Sequence, residues 1–230
     1  MAWFSRPRPR GEMPGPTGLE PGIHRAPGVA ALCDVLAERA ASVVLDLGPS
    51  STENVAFLAG LGAQVQIQDL FRSSGGAHGS RAEIFRFRDP ASLSLPTEGR
   101  FDAILAWDLL HYLEPADIPP LAHRLADLCR AGALLLAMAS AAAPIPPTPM
   151  QFKIVRRDRL EYRIQNPARL AVQALSPRRV EKLLPGFRPL RLFQLRNGFQ
   201  ELLFCRCDPA PVDAAAPAEG PAVRGDDASR

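Results

Sequence analysis

Two carboxylates and a glycine stand where a nucleoside could be held. Asp46 and Gly48 belong to the run Asp46-Leu47-Gly48-Pro49-Ser50-Ser51-Thr52-Glu53-Asn54, and Asp69 follows Asp46 by 23 positions. If each acid closes a strand of a parallel sheet, both face one crevice, because ligands of such sheets bind beyond the carboxyl ends of the strands where strand order reverses. A carboxylate at the end of the second strand can accept hydrogen bonds from both hydroxyls of a ribose. A dinucleotide would want G-x-G-x-x-G at the turn. From Gly48 the next two places of that pattern are Ser50 and Glu53. Serine hinders the close approach of a diphosphate and glutamate repels it, while an acid in the first turn favours the helix itself. NAD, FAD and nucleoside triphosphates are therefore disfavoured. S-adenosylmethionine carries the same adenosine on a zwitterionic amino acid and has no phosphate, so a glycine-poor, mildly acidic turn suits it. Ser50 and Glu53 also match a capping box, S-x-x-E, which would serve the helix with no ligand at all.

The elements that would position these residues follow from periodicity. Val29, Leu32, Cys33 and Leu36 lie on one face of an entry helix over Val29–Ala41. Ser42–Leu47 reads as a buried strand, Glu53–Leu61 as a helix and Gln64–Gln68 as a second strand. Ser73–Ser80 is a loop, Glu83–Arg88 a third strand and Phe101–Trp107 a fourth. Ile118–Cys129 is a helix with Pro119 in its first turn, and Gly132–Ala139 a fifth strand. Strands alternating with helices at this interval imply a mostly parallel sheet covered on both faces. After a helix at Ser176–Leu184, capped by Ser176, the runs Phe187–Leu195 and Phe199–Cys207 flank Asn197-Gly198, a pair suited to a hairpin turn. The sheet should therefore end in a reversed strand.

At 230 residues, against roughly 100 to 200 for one domain, the chain has room for one domain and its extensions. Residues 1–28 hold six prolines and residues 208–230 four prolines and five acids, so both are expected to be solvated tails around a domain over 29–207 with an insert at 141–175. A net charge of +3 gives no argument for nucleic acid, and no aromatic-basic platform is visible. The longest apolar run, Ala131–Ala143, is too short to span a bilayer, so no membrane partner is expected. The start lacks the apolar core of a secretory signal, which implies a cytoplasmic protein with reduced thiols. Cys33, Cys129, Cys205 and Cys207 lack a second close pair or a nearby histidine, and no metal site is expected.

The order of these features resembles the class I S-adenosylmethionine-dependent methyltransferases over residues 29–207. The resemblance is carried by VVLDLGPSSTEN (43–54), QIQDL (66–70), FDAILAWDLLHYL (101–113), GALLLAMAS (132–140) and the closing hairpin. It implies a Rossmann-like α/β fold with a seven-stranded, mostly parallel sheet, helices on both faces and an antiparallel C-terminal strand. It also implies that Asp46 and Gly48 line the methionine end of the cofactor, that Ser50 belongs to the same cofactor-binding turn, that Asp69 holds the ribose, that Leu70 packs on adenine and that Asp89 accepts the adenine amino group. Pro90 follows Asp89 and has no amide hydrogen, so a backbone bond to adenine would need another donor. Trp107 and Asp108 fall where the family places residues between cofactor and acceptor. Ser50 and Thr52 stand where the family's first motif often has further glycines.

The reaction so implied is in-line displacement at the sulfonium methyl, driven largely by alignment and water exclusion. An acceptor that must lose a proton would need a general base, and His111, one helical turn beyond Asp108, is the candidate. Tyr112 would face elsewhere in a helix. The insert, with two short strands near Arg156–Arg159, would form a flap that selects a small-molecule acceptor. Its arginines, Arg156, Arg157, Arg159, Arg163 and Arg169, would either attract an acidic acceptor or make a solvated face. Two other readings stay open: a methyltransferase-like scaffold that has lost catalysis, favoured by the missing glycines, and a nucleotide-dependent oxidoreductase, opposed by Glu53 and the reversed strand.

Overall fold

The computed structural model describes residues 22–70, 101–140, 145–146, 149–163, 175–195 and 198–207. The expected third strand, the Ser73–Ser80 loop, Asp89 and Arg169 lie outside them. The elements run β1 (Gly22–Arg25), α1 (Pro27–Ala37), β2 (Ser42–Asp46), α2 (Thr52–Gly60), β3 (Ala63–Ile67), β4 (Phe101–Trp107), a 3-10 turn (Leu109–His111), α3 (Ile118–Leu128), β5 (Cys129–Ser140), β6 (Gln151–Arg156), β7 (Arg159–Arg163), α4 (Pro177–Leu183), β8 (Phe187–Gln194) and β9 (Phe199–Arg206).

The main sheet among the described residues has six strands in the order β3-β2-β4-β5-β9-β8. β3, β2, β4 and β5 are parallel. β9 runs antiparallel to both β5 and β8, and is the one reversed strand. The chain steps outward from β2 to β3 and then returns across β2 to β4, so strand order reverses between β2 and β4. Side chains of the central strands alternate between two cores. Ile104, Leu135, Ala137, Leu202 and Phe204 face α3 and α4. Leu105, Trp107, Leu134, Leu136 and Leu203 face α1, α2 and a second sheet.

That second sheet, β1-β7-β6, is antiparallel throughout. β6 and β7 are the expected flap strands of the insert. β1 corrects the expectation of a tail over 1–28: Gly22–Arg25 pairs with β7, and Pro27 already opens α1. Phe152, Ile154, Leu160 and Tyr162 bury their side chains against α1 and the central strands, so the small sheet is part of the core. The apolar period of two in QFKIVR and RLEYR supplies this buried face.

Two buried carboxylates tie distant segments. Asp102, at the start of β4, accepts from Arg39, Arg130 and the Val43 amide. Glu201, in β9, accepts from the Gly28 amide at 2.6 Å and so occupies the N-terminus of α1, whose own N-cap residue, Ala26, makes no side-chain cap. A Cβ at Gly28 would lie 2.8 Å from Glu201 Cβ, which is why glycine stands there. Desolvation raises the Glu201 carboxyl to about 7.

Candidate functional site

The carboxyl ends of β2 and β4 lie side by side, with Asp46 in register with Leu105. Two residues further on, Gly48 and Trp107 meet. Asp46 is buried, and its Oδ1 accepts from the Gly48 amide at 3.0 Å and from the Trp107 indole N–H at 2.7 Å. Desolvation lifts its carboxyl to about 6 against the pull of these two donors and of the Asn54 side chain, and the charge of Asp69 adds to the rise. Asp69, half-buried just beyond β3, is thus brought to the same end of the sheet.

Gly48 is needed for close approach, and the neighbour is the protein itself. A Cβ there would sit 2.4 Å from Trp107 Cδ1. The indole lies flat on Phe152 of β6, with ring centroids 5.1 Å apart and planes 5° from parallel. Trp107 also has φ +47°, the left-handed region that costs a bulky L-residue about 1–3 kcal/mol. The crevice between β2 and β4 is therefore closed over Gly48 by Trp107, with Phe152 behind it.

α2 begins beneath this stack. Its cap is Ser51, whose hydroxyl accepts from the Asn54 amide at 3.2 Å, whereas Ser50 is exposed. This corrects the expected capping box by one position. Glu53 instead accepts from the Ser51 hydroxyl and pairs with Lys153 of β6 at 2.8 Å, and Lys153 holds its carboxyl down at about 2. Asn54, buried one turn before Leu58, donates to the Phe152 carbonyl at 2.9 Å and accepts from the Ile154 amide at 2.8 Å. The small sheet is thereby fastened to the helix that follows the ligand turn. Neither Asn54 nor Phe152 was picked out by motif. The signal available was an amide at position i of a buried i, i+4 pair with Leu58.

Behind Trp107, Asp108 is fully buried. Its Oδ2 accepts from the Met150 amide at 3.0 Å and the Tyr112 hydroxyl at 3.3 Å, and its Oδ1 has no partner. Desolvation lifts the carboxyl to about 7. Tyr112 therefore faces Asp108 rather than elsewhere, and residues 109–111 form a 3-10 turn in place of the expected helix. His111 is buried and held low, at about 4, by desolvation. Its Nε2 accepts from the Ser140 amide at 3.0 Å, so in the neutral ring Nδ1 carries the proton, and Nδ1 is a buried donor without a partner. In this arrangement the ring has no free lone pair with which to act as a base.

Leu70 is buried in the core on the α3 side of the sheet, away from the face that carries Trp107. Three of the insert's arginines are paired with acids: Arg157 with Asp34, Arg159 with Asp158 and Arg163 with Glu161. Among the described residues no group of His, Cys, Asp and Glu is arranged to hold a metal ion, and no helix is long and apolar enough to cross a membrane.

No family model and no curated protein matches the chain. Solved structures do. The 1,6-didemethyltoxoflavin-N1-methyltransferase of Burkholderia thailandensis, with its substrate and S-adenosylhomocysteine bound, is 19% identical over 79% of this chain and 77% of its own, with a TM-score of 0.49. An S-adenosylmethionine-dependent methyltransferase from Mesorhizobium loti is 17% identical over 76% and 96%, with a TM-score of 0.49. The N-methyltransferase NodS of Bradyrhizobium japonicum, in complex with S-adenosylhomocysteine, is 16% identical over 78% and 86%, with a TM-score of 0.48.

Proposed function

We propose that this chain is an S-adenosylmethionine-dependent methyltransferase acting on a small-molecule acceptor. The observation that carries the proposal is the set of mainly acceptor groups at the strand-order reversal between β2 and β4. Asp46, the Gly48 amide and Asp69 converge there, and Glu53 stands in the first turn of α2, where a phosphate would meet a carboxylate. Such a set suits amino and hydroxyl donors. Asp46 and Gly48 would hold the amino-acid end of the cofactor and Asp69 its ribose. Ser50, Leu70 and Asp89 enter less directly: Ser50 is exposed, Leu70 is in the core and Asp89 lies outside the described residues. The seventh strand of this reading, Glu83–Arg88, lies outside them as well.

S-adenosylmethionine supplies, when bound, an electrophilic methyl on a sulfonium. The protein's task is to place an acceptor in line with it and keep water out. Asp108 is the candidate proton acceptor, since its carboxyl is raised to about 7 and Oδ1 is free. His111 contributes a hydrogen-bond donor through Nδ1 rather than a base. A second reading, a scaffold that binds no cofactor, is favoured by one observation: the Trp107 indole already stands over Gly48.

Calorimetric titration with S-adenosylhomocysteine and NADH in parallel tests the proposal. Binding of the former at micromolar concentration, none of the latter, and loss of at least about tenfold in affinity in Asp69→Ala, roughly the worth of one charged hydrogen bond, are expected. Binding of NADH alone would overturn it.

A further inference from the structure

We propose that Trp107 is a gate, and that the cofactor pocket of this protein opens only when its indole leaves the crevice over Gly48. The inference rests on the cofactor reading above and goes beyond it by assigning the closing element. Four observations carry it. The indole stands at the reversal of strand order between β2 and β4, where a ligand of this fold class enters, and is close enough to Gly48 that a single added methyl would collide with it at 2.4 Å. Its N–H is one of two side-chain donors to Asp46, a buried carboxylate that Asn54 also serves. A ligand amine or hydroxyl can replace that bond one for one, so exchange of indole for ligand leaves no unpaired charge.

The third observation is backbone conformation. Trp107 is the only non-glycine with positive φ among the described residues. A turn of this one residue back to extended geometry relaxes the backbone and carries the indole away from Gly48. The fourth is the other wall. Phe152, on which the indole lies, belongs to the separate β1-β7-β6 sheet, which is held to α2 by the two hydrogen bonds of Asn54 and by the Lys153–Glu53 pair. Phe152, Ile154, Leu160 and Tyr162 also anchor that sheet in the core, so the wall stays in place and the indole is the element that moves. Closed, the stack keeps water from Asp46 and Asp108; open, it exposes the pocket.

The chain has two tryptophans, Trp3 and Trp107, so Trp3→Phe leaves Trp107 as the sole indole. In that protein the emission should be that of a buried indole and should shift to longer wavelength as S-adenosylhomocysteine is added. Removing the gate in Trp107→Ala should tighten S-adenosylhomocysteine about tenfold or more, because apparent affinity is reduced by the fraction of molecules that are closed. Phe152→Leu, which removes only the stacking wall, should tighten it less and serves if Trp107→Ala does not fold, as judged by circular dichroism. A Trp107→Ala protein that binds where the parent does not also supports the gate. If the parent binds and its Trp107 emission stays fixed at saturation, the gate is wrong and the cofactor reading stands. If neither the parent nor the folded variants bind, both fall.

Discussion

Asp46 and Gly48 form a unit in which each residue explains the other. The buried carboxylate needs donors, the glycine amide is one of them, and the absent Cβ admits another, the indole of Trp107. Gly48→Ala should therefore expel the indole. Measured in the Trp3→Phe protein, it is expected to give a red-shifted emission without ligand and a stability loss of about 1–3 kcal/mol from overpacking. At this scale the sequence told part of the story. The strand-turn-helix order around Asp46 was legible from spacing. That the close neighbour is Trp107 was not, because it depends on β4 lying beside β2 and on a φ of +47° that tryptophan does not announce. The S-x-x-E pattern at Ser50 also misled by one residue, since Ser51 and Asn54 satisfy the same amide geometry.

At the scale of elements, the small sheet is the part least visible beforehand. β6 and β7 could be read from alternation in QFKIVR and RLEYR, but β1 lies among prolines and pairs with a segment far along the chain. A four-residue strand with a half-exposed pattern has too little periodicity to declare itself. The attachment of this sheet to α2 runs through Asn54. Asn54→Ala would leave the Phe152 carbonyl and the Ile154 amide buried without these bonds, at a cost of roughly 2–4 kcal/mol. Hydrogen exchange should then rise in the β6 amides before it rises in β4 and β5. Uniform exchange across both sheets would contradict an attachment made locally through α2.

For the whole molecule, four buried titratable groups set the response to pH. Asp46, Asp108 and Glu201 have carboxyls raised to about 6, 7 and 7. Each binds its proton more tightly folded than unfolded, so each contributes stability that is full at low pH and lost as pH rises through those values. His111, lowered to about 4, acts in the opposite sense, because the unfolded imidazole takes up the proton first, and its contribution grows up to about 6.5. Three carboxyls outweigh one imidazole, and the Tm is expected to be lower at pH 8 than at pH 5. Asp108→Asn should flatten that slope, as thermal denaturation followed by circular dichroism would show. A Tm that climbs from pH 5 to pH 8 would mean that these carboxyls are ionised when buried. A mostly parallel sheet with helices was readable from the alternation of strands and helices, and the closing hairpin from its turn, whereas the order of the strands was not. The buried carboxyls were not readable either, since Glu201 sits between Gln200 and Leu202 in its strand and only the three-dimensional path brings it to Gly28.

That last contact orders events during synthesis. Gly28 leaves the ribosome 173 residues before Glu201, the acid that completes the first helix. A nascent chain stopped short of β9 carries α1 with its leading amides bare and β5 with an open edge. Native structure at the front of the polypeptide thus waits for its far end, and a truncation before β9 should leave protease-sensitive material throughout.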